Sequence, residues 1–231
     1  MITTDSWFMF NGKYSYEYNI LVEQMPDIVI PERHVEAVEI AGRSGSLHID
    51  YGTYKSYLRT AECALMRDTD IGKIATWLTG GGEAVFSNEP NRVYKGFINN
   101  KIPFTKVFAH FKRFPIIFDC QPFKYSLHPY RDELVFTKST NFIGNGSIVS
   151  RPVIDIFGKG DIALNLNGSV RLTQVDGQIT LNSEIESAYN GSSNQNSKMT
   201  GSFPVLTPYE NRLSWVGNVQ KVKIKPNWAW L

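Results

Sequence analysis

Polar and apolar residues alternate along most of this chain, and turn-forming residues interrupt the alternation about every ten positions. Residues 35–40 alternate in this way, and residues 57–64, 91–98 and 102–114 are also interpreted as strands. A period of two places successive side chains on opposite faces of a strand. The sequence therefore predicts packed antiparallel sheets with little helix.

A single segment has the spacing of a helix instead. Its apolar residues recur at intervals of three and four positions, and Asp70 can cap its amino-terminal end. These apolar residues are Ile71, Ile74, Ala75 and Leu78. The pattern predicts one amphipathic helix over residues 70–79, which lies across a sheet because it is too short to be stable alone. Gly80-Gly81-Gly82 is predicted to end the helix, and a strand is predicted to restart at Ala84.

A domain boundary is predicted between Pro115 and Pro129. The prolines of this stretch, with residues 122–125, are not expected in an uninterrupted central strand. The sequence therefore predicts a first domain at residues 1–130 and a second domain at residues 131–231.

The second domain is predicted to be a β-sandwich of about 100 residues. Its predicted strands are residues 152–157, 162–166, 170–175, 179–181 and 219–224. Asn167-Gly168 and Asp176-Gly177 are predicted hairpin turns, because two-residue turns require positive φ. Residues 190–201 are rich in Gly, Ser and Asn and are predicted to form a loop.

The charge of the chain argues against nucleic-acid binding. Lysine and arginine total 24 against 22 aspartates and glutamates, with 14 against 14 in residues 1–130 and 10 against 8 in residues 131–231. A strongly basic domain is the usual footprint of nucleic-acid recognition. No apolar run reaches the ~20 residues of a membrane helix, and the amino terminus lacks the basic start of a secretory signal. Synthesis in the cytoplasm is therefore expected, with Cys63 and Cys120 as reduced core thiols.

No arrangement of reactive side chains predicts an enzyme. A hydrolase nucleophile lies on a turn that is followed by a helix, and no helix follows Gly42-Arg43-Ser44-Gly45. This motif is therefore interpreted as a hairpin turn. Gly80-Gly81-Gly82 follows a helix, whereas a phosphate-binding loop precedes one. Glu184 and Glu186 are interpreted as a solvated strand face rather than a glycosidase pair. The histidines have no metal-binding spacing, and they are His34, His48, His110 and His128. Catalytic, cofactor and metal residues are therefore predicted to be absent.

Tryptophans are concentrated near the carboxyl end of the chain, at Trp215, Trp228 and Trp230. Trp228 and Trp230 would share one face of an extended strand. An exposed pair of this kind would suit a carbohydrate-binding module for host cell-wall polysaccharide. Burial in a core or a subunit interface is the alternative, and we favour it because large aromatic residues are enriched in both.

Short motifs follow one another in a definite order along nearly the whole chain. In the first domain they are Phe10-Asn11-Gly12 with residues 16–22, residues 28–45, residues 76–78 with Gly81-Gly82 and Phe86-Ser87, and residues 91–94. In the second domain they are residues 179–184, residues 201–206, Asn211-Arg212-Leu213 and residues 219–228. Taken in this order, the motifs resemble the distal tail (Dit) proteins of long-tailed bacteriophages and prophages of Gram-positive hosts.

The resemblance implies a structural protein rather than an enzyme. Its fold would be mainly β, with a sandwich or split-barrel-like domain with one helix at residues 1–130 and a galectin-like β-sandwich at residues 131–231. Proteins of this family form a hexameric ring that joins the tail tube protein to a tail-associated hub, lysin or fibre protein, and some carry receptor-binding proteins. The implied location is the virion tail tip, after synthesis in the host cytoplasm.

The resemblance leaves particular points open. Pro208-Tyr209-Glu210 stands where the family often has Pro-Gly before the residue equivalent to Asn211. The segment 219–230 would either complete the second sandwich or return to the first domain. The sugar-binding signature of true galectins is absent, since residues 131–231 contain no histidine. Exposed strand edges are predicted to join subunits, with residues 51–65 and 102–114 as candidates.

Overall fold

The computed structural model describes residues 5–66, 70–98, 102, 105–108, 111–128 and 132–231. As predicted, these residues form mainly antiparallel strands, with one α-helix among them. The chain divides between Leu127 and His128 into two units. The boundary predicted after Tyr130 lies outside the described residues, and the ring-forming and galectin-like roles of the two units stay predictions.

The first unit is built on one long curled sheet. Its strands are β1 (Phe8–Phe10), β2 (Lys13–Tyr14), β3 (Ile20–Gln24), β4 (Arg33–Glu39), β5 (Ser46–Tyr54), β6 (Tyr57–Met66), β7 (Gly80–Phe86), β8 (Arg92–Ile98), β9 (Thr105–Phe108) and β10 (Phe111–Ser126). The order along the sheet is β2-β1-β7-β8-β10-β6-β3, and β9 pairs with β10. Strands β4 and β5 form a separate two-stranded hairpin. A 3₁₀ helix at Ser15–Tyr18 leads into β3.

Aromatic side chains of β1, β7 and β10 form the centre of the first core. Phe8, Phe86 and Phe118 have no exposed surface, and the Phe118 ring lies edge-on to the other two at centroid distances of 5.5 and 5.2 Å. Trp77 covers this cluster: its ring stacks on Phe8 and its Nε1 donates to the Phe10 carbonyl at 2.8 Å.

The helix that carries Trp77 is α1 (Ile71–Trp77). Asp70 caps it as predicted, since its carboxylate accepts from the Gly72 N–H at 2.9 Å. The predicted apolar stripe is wrong at Ala75, which is exposed while Trp77 is buried. The glycines after the helix do not form a loop, because β7 begins at Gly80, four residues before the predicted start.

Strand β10 contradicts the expectation that prolines exclude a central strand. It runs between β6 and β8 and contains both Pro115 and Pro122. Pro115 pairs with Glu62 of β6, and Pro122 lies in a shift of register toward β8. Only alternate residues of an antiparallel pair exchange hydrogen bonds, and bulges tolerate proline, so both residues are accommodated. The single strand predicted at residues 102–114 is divided between β9 and β10.

The second unit is a sheet of long, bent strands. The strands of this sheet are β11 (Leu134–Phe136), β12 (Thr140–Ile143), β13 (Val153–Leu166), β14 (Ser169–Asn182), β15 (Ser187–Asn190), β16 (Ser193–Asn194), β17 (Met199–Gly201) and β18 (Glu210–Lys225). The unit also contains a 3₁₀ helix at Asn196–Lys198 and a short strand outside this sheet, β19 (Ala229–Trp230). The order is β11-β18-β13-β14-β15-β16, with β12 on β18 and β17 on β14. Apolar residues of β13, β14 and β18 form the second core, with Ile156, Leu181 and Val222 fully buried.

The predicted short strands of this unit join into longer ones. The predicted strands 152–157 and 162–166 both fall in β13, which begins at Val153 and whose register shifts after Gly160. Residues 170–175 and 179–181 belong to β14. Asn167-Gly168 forms the predicted hairpin turn, with Asn167 at a φ of 54°. The turn predicted at Asp176-Gly177 is wrong, because these residues stay paired with Lys159 and Gly158.

The loop predicted at residues 190–201 is also wrong. This segment contains β16, the second 3₁₀ helix and β17. Its asparagines satisfy backbone donors: Asn196 Oδ1 accepts from the Ala188 N–H at 2.5 Å, and Asn194 Oδ1 accepts from the Asn196 N–H at 2.8 Å. A polar composition therefore gives order here, because short side chains bond the local backbone.

The carboxyl-terminal segment is part of the second unit as far as Trp230. Residues 219–225 lie in β18, where they pair with β13. Trp228 lies between β18 and β19 rather than inside a strand, so it does not share a strand face with Trp230. Among the described residues, no helix has the length and apolarity required to span a membrane.

Candidate assembly surface

The β4–β5 hairpin is the most exposed element of the first unit. Within its strands only Val38 and Tyr54 are partly covered, and the other residues are exposed. Its large exposed hydrophobic residues, with those flanking β4, are Ile28, Val29, Ile30, Val35, Ile40, Leu47, Ile49 and Tyr51. A two-stranded hairpin is only marginally stable in water, and a contiguous exposed apolar patch marks an interaction site. The hairpin is therefore the leading candidate for contact with another chain.

One face of the hairpin carries a row of apolar side chains. Val38 pairs with Leu47 and Glu36 pairs with Ile49, and directly opposed residues project to the same side. We call Val38, Leu47 and Ile49 the hairpin face. On the same side of the hairpin, Glu36 accepts a hydrogen bond from the Tyr51 hydroxyl, which raises the pKa of Tyr51. This hydrogen bond fixes the side chains of Glu36 and Tyr51 next to the apolar row.

Polar pairs fix the base of the hairpin. Lys55 donates twice to Glu32, from its backbone N–H to the carbonyl at 2.9 Å and from Nζ to the carboxylate at 3.0 Å. Arg33 pairs with Asp50 at 2.7 Å. The N–H of Gly52 and this guanidinium both hold the pKa of Asp50 below its ordinary value. The hairpin is thus closed at its base although its faces are open.

A buried arginine holds the chain just before the hairpin. Arg59 of β6 is 2% exposed, and its guanidinium lies between the rings of Phe86 and Tyr94, 4.5 and 4.3 Å from their centroids. Its Nη2 donates to the Pro26 carbonyl at 3.2 Å, and Asn88 Nδ2 donates to the same oxygen at 2.9 Å. We call this arrangement the Pro26 clamp. It fixes the point at which the segment toward β4 leaves the core.

Glu89 balances the charge of this arginine. Its Oε2 lies 3.5 Å from Arg59 Nη1, which is an ion-pair distance without hydrogen-bond geometry, and Lys124 Nζ donates to Oε1 at 2.7 Å. The Tyr94 hydroxyl also donates to Glu89. Burial alone would raise the pKa of Glu89, but the bonds from Lys124 and Tyr94, with the charges of Lys124 and Arg59, lower it. Glu89 is therefore an ionised partner in a largely covered site.

The predicted turn at residues 42–45 and two of the histidines lie on the exposed hairpin. Gly42-Arg43-Ser44-Gly45 forms the predicted turn between β4 and β5, with Gly42 and Gly45 at positive φ. His34 and His48 lie on the exposed hairpin, and His110 lies outside the described residues. Over the described ranges, no group of histidine, cysteine, aspartate and glutamate has the arrangement needed to hold a metal ion.

Two further interpretations are tested by the geometry. Glu184 and Glu186 lie in the turn between β14 and β15, so the predicted strand face is wrong although both residues are exposed, and Glu186 pairs with Arg151 at 3.1 Å. Cys63 and Cys120 are free and buried, as predicted. Burial raises the pKa of Cys120 to about 12 and also raises that of Cys63.

The tryptophans of the second unit favour burial over an exposed sugar platform. Trp228 is 4% exposed and belongs to the second core, and Trp215 and Trp230 are partly buried against the same core. A sugar ring stacks on an open aromatic face, which Trp228 does not offer. The carbohydrate-binding alternative is therefore not favoured by these residues.

Sequence reasoning did not identify the structural roles of Arg59 and Asn211. Asn211 is fully buried, accepts from the Thr207 N–H at 2.8 Å and donates to the carbonyls of Thr207 and Tyr209 at 3.0 Å. It therefore holds the turn formed by Pro208-Tyr209-Glu210. The motif around Asn211 was a signal for this role, whereas no local pattern marks Arg59.

Comparison with known proteins identifies the fold. A solved phage protein has a similar backbone over nearly its whole length. The crystal structure of SPP1 Dit (gp 19.1), described as a paradigm of the hub adsorption apparatus in Gram-positive infecting phages, superposes with a TM-score of 0.77. The match covers 95% of this chain and 97% of that chain at 16% sequence identity. The fold implied by the motif order is thereby confirmed.

Sequence comparisons add no further relative. No family model matches the chain, and no curated protein matches it. At 16% identity the similarity to SPP1 Dit is one of backbone architecture.

Proposed function

We propose that this protein is a phage distal tail protein, a structural component of the tail tip that assembles into a hexameric ring. The observation that carries the proposal is the likeness to SPP1 Dit over nearly the full length of both chains. Both units contribute to that match, so it extends beyond one common sandwich. The protein would act through shape and assembly, with no catalytic step of its own.

The exposed hairpin supports self-association by the first unit. A closed ring needs two different patches on each subunit, because its contacts run head to tail. The hairpin face of Val38, Leu47 and Ile49 is one patch of suitable character, since it is apolar and lies on an element with little other cover. The predicted contact region 51–65 starts within strand β5 of this hairpin. Most of the other predicted region, residues 102–114, lies outside the residues whose side chains are described.

The ring would have a neighbour on each side. We propose the tail tube protein above and a tail-associated hub, lysin or fibre protein below, with receptor-binding proteins as further partners. The second unit would project from the ring as the galectin-like domain. The assembled protein would be located at the virion tail tip after synthesis in the host cytoplasm.

Negative-stain imaging of the purified full chain tests the ring directly. We expect annular particles with six-fold symmetry, and light scattering after size exclusion should give the mass of six chains. Leu47→Lys on the hairpin face should reduce the annular fraction, and Ile185→Lys, at an exposed site of the second unit, is the matched control. Particles that remain single copies at all concentrations would refute the ring.

A further inference from the structure

The first unit has an open groove beside β6. The groove has a volume of about 260 Å³ and lies between residues 24–29 and the outer side of the strand. Its walls include the acidic residues Asp27 and Glu62 and the apolar residues Val29 and Leu58, which are 45% and 64% exposed. We call Asp27, Glu62, Val29 and Leu58 the acidic groove. Arg59 also lines it, but that side chain is 2% exposed and pairs with Glu89. A cavity of ~150 Å³ holds a benzene-sized molecule, so this groove has room for one long side chain.

The groove follows an unpaired strand edge. Strand β3 pairs with β6 only between Glu62 and Leu65. Residues 57–61 pair with β10 on one side, and no strand in the described part of the chain pairs with them on the other. An open edge of this kind receives extended chain from a partner. The Pro26 clamp fixes the opposite wall, so the groove is formed before any partner binds.

The turn of the β4–β5 hairpin has the complementary chemistry. Ile40 is 41% exposed and Arg43 is exposed beside it. Within the described residues, no ion pair includes Arg43, Asp27 or Glu62. The turn thus carries an apolar side chain next to a cation, and the groove carries apolar side chains next to carboxylates. Complementary charges of this kind select a partner and its register.

A hairpin turn cannot reach the groove of its own chain. Strand β4 has seven residues, which span about 23 Å at ~3.3 Å per residue. The groove lies at the opposite end of the hairpin, because Asp27 precedes β4 and Leu58 follows β5 by only a few residues. Any turn seated in the groove therefore comes from a second copy.

We propose that the hairpin turn of one copy, with Ile40 and Arg43, docks in the acidic groove of the next copy. The inference rests on the proposed ring and specifies the residues that close it. The turn and the groove are different patches, so each copy both inserts a turn and receives one. Contacts of this kind are head to tail, and they form a ring when the rotation between successive copies closes.

The test is a charge swap in the full-length chain, measured by light scattering and native mass spectrometry over a range of concentrations. Arg43→Glu and Glu62→Arg should each raise the concentration for half-maximal assembly by about tenfold or more, since each places like charges together. The double variant Arg43→Glu with Glu62→Arg should recover most of the assembly. Arg171→Glu, the same change at an exposed arginine of the second unit, is the control and should assemble normally.

The possible outcomes separate the inference from the function on which it rests. Rings that assemble normally in both single variants would overturn the docking and leave the ring intact. Loss in the single variants without recovery in the double variant would also overturn this pairing. A wild-type chain that stays monomeric would overturn both proposals.

Discussion

Arg59 is the residue on which the first unit depends most clearly. A buried cation is costly unless it is paired, and here two aromatic rings, the Pro26 carbonyl and Glu89 all contact one guanidinium. Its Nε has no hydrogen-bond partner among the described residues. The cation–π contacts and the ion pair with Glu89 therefore offset much of the free-energy cost of burying the Arg59 charge.

Arg59→Met should destabilise the first unit by about 2–4 kcal/mol, because Glu89 loses a partner in a covered site and the clamp loses one donor. Differential scanning calorimetry or urea unfolding measures the change. Arg151→Met is the control: its partner Glu186 is exposed, so the loss should stay below ~1 kcal/mol. Equal effects of the two substitutions would contradict the role of the buried arginine.

The lowered pKa of Glu89 predicts a dependence of stability on pH. A carboxylate whose pKa is lower in the folded state stabilises the fold above its unfolded pKa of 4.5, and this stability is lost as pH falls through the folded pKa. Unfolding of the wild type and Glu89→Gln should be compared from pH 7 to pH 3. The stability difference between them should shrink below about pH 4.5. A constant difference would show that the charge of Glu89 does not contribute.

Among the elements, the long strands of the second unit bend where glycine allows close approach. Gly217 of β18 has a φ of 118°, and a Cβ at this position would lie 2.5 Å from the Asp161 carbonyl oxygen of β13. The registers of β13 with β14 and with β18 both shift nearby. The bend therefore needs a residue without a side chain.

Gly217→Ala should destabilise the second unit by at least ~2 kcal/mol, through strain in the backbone and contact with β13. Gly168→Ala is the matched control, since a Cβ there meets nothing within 4 Å and its φ is not in the left-handed region. Thermal unfolding checks both variants. Two variants of equal stability would contradict the close approach described for Gly217.

Local patterns predicted the elements better than their connections. Asp70 predicted the start of the helix, and Asn167-Gly168 predicted a hairpin, because capping and positive φ depend on adjacent residues. Asp176-Gly177 has the same local signal, yet pairing with β13 on one side keeps it within a strand. Pro122 likewise appeared to break a strand, but a register shift accommodates it.

Long-range contacts explain what the sequence did not predict at the candidate surface. The turn at residues 42–45 was predicted, but the exposure of β4 and β5 was not. These strands are exposed because they pair with each other and not with the long sheet of the first unit, and no local pattern predicts that pairing. The Pro26 clamp joins residues 33 positions apart. No periodicity records such a contact, so its position became visible only in the folded chain.

At the scale of the whole molecule, each unit has its own hydrophobic core, and this predicts separable effects of mutation. Trp228→Ala should destabilise the second unit by about 3–5 kcal/mol, because a large side chain at 4% exposure would leave a cavity. Self-association should remain unchanged. Tyr209→Ala, at 78% exposure, is the control and should alter stability by less than ~0.5 kcal/mol. Calorimetry and light scattering on the same samples compare the two properties.

If only the first unit forms the ring, protein concentration should stabilise only that unit. Assembly draws the folded state into the ring by mass action, so each tenfold rise in concentration should stabilise the first unit by up to about 1.4 kcal/mol and raise its melting temperature by a few degrees. Calorimetry at several concentrations measures both transitions, and Trp228→Ala identifies the one that belongs to the second unit. That transition should keep a constant temperature, because its core has no part in the ring. A second-unit transition that rises equally would place ring contacts in both units.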